Sequence, residues 1–447
     1  MYIISIDSAE RKTCGEKAYS LRILKNSGLR VPDGFVVSSE AFEKFLSDTG
    51  IKKECEKALQ CIDIERPETL ISASKRIKEA FSRISGTDFL IREVRDAYNE
   101  LSFGKEVSEA GGKALDIIKA GRTESFVSVR PSFVFEGDYF TGYGRAFLNV
   151  IGEKQILSAI KNCWLSAFSP ESIFYRKINC MEKFSLAVVV QKMVDSEISG
   201  ALFTSEPVFG KGEKALVEGV WGLGETLSNG AVSPDSFFID KQTGMVEKKI
   251  SKKLWLRRRG PLSGMTIQER VPASRVFMET LSERDFPIFL ELSKRLEGIF
   301  NCPQKAEWCV DRGKIVLLQS ASVGLSKLLG QVEKNSEADK MERLASGTPV
   351  SAGTAKGRTA VRSDLSSLNK PEGSEILVAK TLGAEILPYI RWFSGIISEQ
   401  GGCGSSLSSI GRMLGIPIVC GIENATVIFG NRQEVLLDGL SGNVYKA

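Results

Sequence analysis

The sequence predicts a multidomain protein of the mixed α/β and α+β classes. Its 447 residues allow about three domains. Patterns typical of amphipathic helices alternate with short β-branched runs that end in glycine-rich turns. A polar, charged segment without proline, residues 324–346, separates residues 1–323 from residues 347–447. We therefore expect two mixed regions joined by a partly helical linker.

The local sequence pattern predicts a helix and then a strand at the start of the first region. Apolar residues at helical spacing predict a helix over residues 16–27, with Gly28 as its C-cap. A strand is expected at residues 35–38. The β-branched runs between residues 125 and 240 predict further strands, separated by glycine-rich turns.

Later elements are predicted in the same way. A helix over residues 285–300 would have Asp285 as its N-cap and Pro287 in its first turn. In the second region a helix is expected to begin at Leu407. The strands expected there lie at residues 375–378, at residues 434–437 and near Val444.

The composition excludes several kinds of site. The chain contains no histidine, so none of its residues can be an imidazole base, a histidine metal ligand or a phosphohistidine. Its nine cysteines form no Cys-x-x-Cys pair, which favours buried thiols in a reducing compartment over disulfides or structural zinc. A net charge of +5 spread over 60 basic and 55 acidic residues is too dilute to indicate nucleic acid binding. Without a signal peptide or a membrane-spanning run, we expect a cytoplasmic protein that does not bind membranes.

Two basic residues are candidates for phosphate binding. Lys17 lies in the first turn of the first predicted helix, where a cation opposes the helix dipole unless an anion is bound nearby. An exposed lysine that tolerates the dipole is the alternative. Arg130 is expected to end the strand FVSVR, and the glycines that follow, Gly137, Gly142 and Gly144, would let the backbone fold closely over a polyanion. A β-hairpin with a glycine-rich turn explains the same segment equally well.

The segment AEWCVDRGKIVLLQS predicts a hairpin with possible metal ligands. A three-residue loop, residues 311–313, would pair Glu307 with Leu317 and place Gln319 on the same face as Glu307. Carboxylate and amide oxygens are suitable ligands for Mg²⁺ on a nucleotide. A surface glutamate and glutamine are the alternative.

Taken in order, these segments resemble the phosphoenolpyruvate synthase and pyruvate phosphate dikinase family of nucleotide-dependent phosphotransferases. The resemblance covers nearly the whole chain. The segments that carry it are CGEKAYSLRILKNSGLRVPDGFVVSSEAF, SVRPS, FTGYGRAFLNV, VVVQKMVDSEISGALFTSEP, VEGVWGLGE and EWCVDRGKIVLLQS.

The resemblance implies an ATP-grasp-like region with ATP and Mg²⁺ as ligands. This region would comprise residues 1–323, in two subdomains of about 1–190 and 191–323. Gln191, Met193 and Val194 would line the adenine at the hinge, and Glu307 and Gln319 would hold the metal. The ATP-binding positions implied are Lys17, Arg130, Gly142, Gln191, Met193, Val194, Glu218, Glu307 and Gln319.

Residues 347–447 resemble the family's swivelling β/β/α phosphohistidine domain. The segment SEQGGCGSSLSSIGRMLGIPIVCGIENAT carries the likeness, and the catalytic histidine falls on Ser406. Other departures from the family pattern are Ala321, the Glu136–Gly137 pair and the TLGAE segment at 381–385. Nothing follows residue 447, so we expect the family's C-terminal barrel to be missing.

These departures imply an ATP-binding protein that does not run the full dikinase reaction. A phosphoserine ester at Ser406 would be a poor phosphoryl donor, so relay through this residue is not expected. Ser406 is interpreted as a helix N-cap, with phosphate binding by residues 401–406 or phosphorylation of Ser405 or Ser406 as alternatives. The alternative function is an active ATP-dependent phosphotransferase, acting on a separate acceptor or with a partner chain that supplies the missing histidine.

Overall fold

The computed structural model divides the chain into two compact units, each of mixed α/β structure. The structure describes residues 1–84, 86–105, 123–135, 143–181, 183–208, 212–261, 264–323, 341–363, 368–371 and 373–447. Unit 1 comprises Met1–Asp195, Arg259–Ile267 and Ile315–Ala321, and unit 2 comprises Ser196–Arg258, Gln268–Lys314 and Ser322–Ala447.

Unit 1 is built on a five-stranded antiparallel sheet in the order β1-β2-β5-β3-β4. Its strands are β1 Ile3–Ser5, β2 Gly34–Val37, β3 Val127–Val134, β4 Phe147–Val150 and β5 Ser185–Lys192. Within its described residues, the α-helices of this unit are α1 Arg11–Asn26, α2 Ser39–Asp48, α3 Ile51–Gln60, α4 Pro67–Ser82, α5 Ile91–Phe103, α6 Glu153–Ser166 and α7 Pro170–Ile178.

The sheet of unit 1 is buried on both faces, so its strands carry apolar residues on both. Val188 and Val190 join a large core with aromatic residues of α2 and α6, such as Phe45 and Trp164. Ala187 and Val189 of β5 join a second core beneath α1. This two-sided burial is the physical reason that the run LAVVVQ is almost continuously apolar.

Helix α1 begins earlier than predicted. It runs from Arg11 rather than residue 16, with a break at Gly15, whose φ of 74° is left-handed. The predicted C-terminus is confirmed to within one residue, because the helix ends at Asn26 with Ser27 as its C-cap, and Gly28 follows in a left-handed conformation with φ 73°. The sequence pattern had detected only the part of the helix after the break.

Unit 2 contains an antiparallel sheet with the strand order β12-β6-β7-β8-β9. Its strands are β6 Ile198–Phe203, β7 Lys214–Trp221, β8 Asp235–Asp240, β9 Val246–Lys249 and β12 Gln304–Asp311. The helices here are α8 Glu225–Ser228 and α9 Phe286–Phe300. Strands β10 Trp255–Arg259 and β11 Thr266–Arg270 have residues in both units, and β13 Lys314–Ser322 lies mostly within unit 1.

The C-terminal part of unit 2 forms an eight-stranded mixed sheet in the order β14-β21-β20-β16-β17-β18-β19-β15. Strands β16 to β19 run parallel and are apolar where both faces are covered. The strands are β14 Arg343–Ser346, β15 Thr348–Ser351, β16 Thr354–Arg362, β17 Glu375–Ala379, β18 Gly395–Ser398, β19 Ile418–Cys420, β20 Glu434–Asp438 and β21 Asn443–Lys446. The helical segments are the 3₁₀ run Ala384–Trp392, α10 Ser406–Leu414 and α11 Ala425–Ile428.

Several predicted elements of unit 2 are confirmed, and two are corrected. The strands near residues 375, 434 and 444 and the helix before residue 300 are present. Asp285 is the N-cap residue of α9, but its carboxylate accepts from the backbone and hydroxyl of Ser282 instead of capping the helix. Residues 343–346 of the expected linker form a strand, because they pair with β21, and residues 324–340 lie outside the described part.

Six of the nine cysteines are buried, as the composition predicted. Among the described residues, no helix has the length and apolar character needed to cross a membrane.

Asp235 fixes the end of β8 through a fully buried ion pair. Asp235 and Lys253 are both 0% exposed, and the Lys253 ammonium donates to Oδ1 of Asp235. The backbone N–H of Ser251 donates to Oδ1 at 2.9 Å, and that of Thr280 donates to Oδ2 at 2.9 Å. One carboxylate therefore joins three segments of unit 2 that lie far apart in the sequence.

We expect Asp235→Asn to lower the free energy of unfolding by about 3–5 kcal/mol, because it leaves the Lys253 ammonium buried without a countercharge. Urea denaturation followed by tryptophan fluorescence measures this change. Glu247→Gln, which removes an exposed pair with Lys214, is the control and should cost about 1 kcal/mol or less. Equal losses in the two variants would contradict a structural role for the buried pair.

Candidate functional site

The helix that carries Lys17 is anchored on the sheet of unit 1 at Gly15. A Cβ atom on Gly15 would lie 2.5 Å from the carbonyl oxygen of Phe133 and 2.6 Å from that of Ser132. The Ser132 hydroxyl donates to the carbonyl of Cys14 at 2.6 Å and accepts from the N–H of Ala18 at 3.3 Å. Because residue 15 is glycine, helix α1 can approach the backbone of β3 closely. This approach sets the position of Lys17.

Arg130 is in the middle of β3, not at its end as predicted. The strand continues through Pro131 to Val134, because every residue from Val127 to Val134 pairs with β5. The Arg130 guanidinium is nearly buried, and it donates to Oε1 of Gln191 and, at 2.8 Å, to the carbonyl of Leu318. These contacts hold the guanidinium in one orientation.

Gln191 contacts Arg130 with its side chain. The amide oxygen accepts from Arg130, and Nε2 donates to the carbonyl of Pro32 at 3.0 Å. Arg130, Ser132 and Gln191 lie on the sheet face that α1 covers, since Val127, Val129 and Val190 belong to the core on the other face. The structure thus brings three polar positions of β3 and β5 to the face that also carries the Lys17 helix.

The expected hinge follows β5 directly. The N–H of Met193 donates to the carbonyl of Phe126 at 2.8 Å, and Val194 is half-buried. The first segment of unit 1 then ends at Asp195, whose carboxylate accepts from Arg259, also of unit 1, at 2.7 Å. The division into units falls at this segment. Gly142, predicted to lie in the phosphate loop, is outside the described residues.

Glu218 and Glu307 share one face of the sheet of unit 2. In the strand register, both residues stand opposite Ala201, Glu218 from β7 and Glu307 from β12. Residues directly opposite each other in a sheet point to the same side. Lys305, two residues before Glu307, faces the same way, and sequence reasoning had missed it. Charged and apolar residues alternate in the run KAEW. This alternation would have indicated that Lys305 shares a face with Glu307.

Glu218 is completely buried and is bound by the glycine-rich loop, residues 401–404. The N–H of Cys403 donates to Oε1 and that of Gly404 to Oε2, each at 2.7 Å. Burial raises the pKa of the Glu218 carboxyl, while the two N–H groups and the charges of Lys305 and Arg412 oppose the shift. The loop thus donates two N–H groups to a carboxylate of its own chain.

The turn between β12 and β13 differs from the predicted three-residue loop that would have placed Glu307 and Gln319 on one face. It contains two residues, Arg312 and Gly313, both left-handed with φ of 49° and 74°, as in a type I′ hairpin. The register inferred from a three-residue loop therefore does not apply. Glu307 lies in unit 2 and Gln319 in unit 1, and both are half-buried.

Ser406 is the first residue of α10 rather than its N-cap. Ser405 is the N-cap, and its hydroxyl accepts from the N–H of Ser408 at 3.2 Å. The Ser406 hydroxyl donates to the carbonyl of Ser228 at 3.2 Å. Because the helix begins one residue earlier than predicted, the capping role passes to the preceding serine.

We expect Gly15→Ala to destabilise the protein more than Gly28→Ala. Both glycines are left-handed, with φ of 74° and 73°, but a Cβ at Gly15 meets backbone oxygens whereas one at Gly28 meets open space. A left-handed φ costs an alanine about 1–2 kcal/mol. At Gly15, the ψ of 172°, which is essentially restricted to glycine, and the overlap with backbone oxygens add about 1–3 kcal/mol. Thermal and urea denaturation compare the two variants, and equal stability would show that the contact with β3 can relax.

Comparison with known proteins identifies two family segments. Residues 11–343 match the pyruvate phosphate dikinase AMP/ATP-binding domain, and residues 371–442 match the mobile domain of PEP-utilising enzymes. The first segment alone includes well over half of the chain.

Curated relatives match over almost the whole chain. A probable phosphoenolpyruvate synthase of Methanothermobacter thermautotrophicus is 31% identical, over 97% of this chain and 61% of its own length. One from Archaeoglobus fulgidus is 32% identical, over 100% of this chain and 58% of its own length. The phosphoenolpyruvate synthase of Pyrococcus furiosus is 29% identical, over 97% of this chain and 56% of its own length. The chain therefore spans less than two thirds of the length of these relatives, and it belongs to the phosphoenolpyruvate synthase and pyruvate phosphate dikinase family.

Proposed function

We propose that this chain binds ATP with Mg²⁺ in an ATP-grasp-like site and does not pass the phosphoryl group through its own mobile domain. The match to an AMP/ATP-binding domain supports the first part. The second part is supported by one observation, that the chain contains no histidine. The family resemblance assigns the phosphohistidine position to Ser406.

Lys17 and Arg130 are proposed as ligands of the ATP phosphates. Both belong to the α1 side of the sheet in unit 1, and Arg130 is held by Gln191 and the carbonyl of Leu318. An arginine whose orientation is already fixed loses little side-chain entropy when it binds phosphate. Gly142 would complete the phosphate contacts, and Met193 and Val194 would line the adenine. Gln191 would orient Arg130 and would also line the adenine, as the resemblance implies.

Mg²⁺ would depend on the nucleotide for most of its ligands. No group of three or more His, Cys, Asp or Glu residues suited to a metal occurs within the described ranges. The resemblance assigns Glu307 and Gln319 to the metal, to which they would offer a carboxylate and an amide oxygen. Mg²⁺ is commonly bound by one or two carboxylates together with phosphate oxygens and water. When bound, the ion would neutralise phosphate charge.

Ser406 would not replace the histidine as a carrier. Transfer to its hydroxyl would form a phosphate ester, which does not share the high transfer potential of a phosphoramidate. Its hydroxyl also donates to the carbonyl of Ser228, so the proton points at a backbone acceptor. A partner chain that carries a histidine, or a separate acceptor, would be needed for phosphoryl transfer.

The test is incubation of the purified chain with ATP labelled at the β- or γ-phosphate and Mg²⁺, with and without cell extract. We expect saturable binding without turnover by the chain alone. AMP with a labelled acceptor only in the presence of extract would indicate a partner that supplies the histidine. ADP with a labelled acceptor would indicate a simple kinase. Turnover to AMP and phosphate by the chain alone would contradict the proposal.

Lys17→Met should weaken ATP binding by about 10- to 100-fold, since a hydrogen bond to a charged group contributes about 1.5–3 kcal/mol. Isothermal titration calorimetry with Mg²⁺–ATP measures the affinity. Lys12→Met is the matched control, because Lys12 is an exposed lysine of the same helix. An unchanged affinity in Lys17→Met would remove Lys17 from the proposed site.

A further inference from the structure

Unit 1 contains a buried arginine, Arg176, that the proposed site does not use. It lies on α7 with 4% of its surface exposed. Burial lowers the pKa of its guanidinium, and no carboxylate among the described residues pairs with it. Burying a cation without a countercharge is costly unless its hydrogen bonds are satisfied. The acceptors of these hydrogen bonds therefore indicate what the residue does.

The guanidinium of Arg176 begins a short chain of hydrogen bonds. Nη1 donates to the carbonyl of Ala167 and, at 2.9 Å, to the hydroxyl of Ser172. Ser172 lies four residues earlier on α7, so the two side chains share a helix face. Because the Ser172 oxygen accepts from Arg176, its proton is left to donate to the carbonyl of Tyr143 at 2.6 Å. The guanidinium carbon also lies 4.0 Å from the centre of the Phe184 ring, which limits its movement.

Tyr143 begins a segment, residues 143–145, that is held at both ends. The carbonyl of Tyr143 accepts from Ser172. The N–H of Arg145 donates to the hydroxyl of Ser166 at 3.1 Å, and that hydroxyl donates to a carbonyl of α6 at 2.7 Å. Helices α6 and α7 therefore each hold one end of the segment.

The middle of this segment packs against β3 beside Arg130. A Cβ atom on Gly144 would lie 2.7 Å from Cγ of Pro131, so only glycine allows this approach. Pro131 follows Arg130 in the chain, and Tyr143 follows Gly142. The segment is therefore joined covalently to one proposed phosphate ligand and packed against the neighbour of another.

We propose that Ser172 and Arg176 are positioning residues for the phosphate part of the ATP site. Arg176 orients the Ser172 hydroxyl, which holds Tyr143 and with it the segment beside Arg130. Both residues act through Tyr143 rather than by touching the nucleotide. This role rests on the proposed ATP binding and adds two residues of α7 to it. The contacts to phosphate depend on this arrangement, whereas the contacts to adenine at the hinge do not.

Isothermal titration calorimetry of the full chain with Mg²⁺–ATP and with adenosine tests this role. Ser172→Ala removes the bond to Tyr143, and we expect the affinity for ATP to fall about three- to tenfold, the loss typical of one hydrogen bond. The affinity for adenosine, which has no phosphate, should stay unchanged. A general loosening of unit 1 would instead weaken the binding of both ligands.

Ser169→Ala is the matched control, because Ser169 caps the same helix without a hydrogen bond to Tyr143. It should lower the thermal stability and leave the ratio of ATP affinity to adenosine affinity at the wild-type value. Ser172→Thr keeps a hydroxyl and should retain most of the ATP affinity that Ser172→Ala loses. A changed ratio in Ser169→Ala would show that any loosening of α7 has this effect, and would overturn the specific role of Ser172.

A double-mutant cycle tests whether Arg176 acts through Ser172. Arg176→Met removes the donor and leaves an apolar side chain in the buried space. The double variant should bind ATP no more weakly than Ser172→Ala alone, because both substitutions break the same chain of hydrogen bonds. Losses of affinity that add would overturn the assignment of Arg176 to this chain.

Three results would overturn the positioning role as a whole. Wild-type ATP affinity in Ser172→Ala would exclude it and leave the proposed ATP binding intact. Equal losses for ATP and adenosine in that variant would show that Ser172 only stabilises the fold. Absence of saturable ATP binding by the wild-type chain would contradict the proposed function, and the positioning role with it.

Discussion

Both units depend on the same constraint, that a charged or amide side chain inside a protein must find hydrogen-bonding partners. In unit 1, Gln191 and the carbonyl of Leu318 satisfy Arg130. In unit 2, backbone N–H groups satisfy Asp235 and Glu218. Because these partners come from distant parts of the chain, each buried polar group fixes several segments at once.

Glycine makes two of these arrangements possible, for different reasons. Gly15 combines a left-handed backbone with a close approach to the carbonyls of β3, which places the helix that carries Lys17. Gly402 and Gly404 provide only space, into which the Glu218 carboxylate fits. A larger residue would strain the helix at the first site, whereas it would displace a side chain at the other two. A substitution at Gly15 would therefore affect folding, whereas one at Gly402 or Gly404 would affect the contact with Glu218.

Glu218 is one of the ATP-binding positions that the sequence implies. In the structure its carboxylate accepts hydrogen bonds from the loop before α10. Glu307 and Glu218 share a sheet face, opposite Ala201. A ligand that requires the Glu218 carboxylate would have to compete with the N–H groups of Cys403 and Gly404.

The sequence by itself determined the family, the mixed α/β class and most regular elements, because motifs and periodicity are local properties of the chain. It also located the C-terminus of α1, since a glycine after a helical pattern has a local cause. Only the tertiary structure decided that Arg130 lies within a strand, that Gln191 holds it, and that Ser405 caps α10. The bonds between Glu218 and residues 403 and 404 join positions about 185 residues apart. No local pattern records such a pairing, because it depends on which strands become neighbours and which faces they bury.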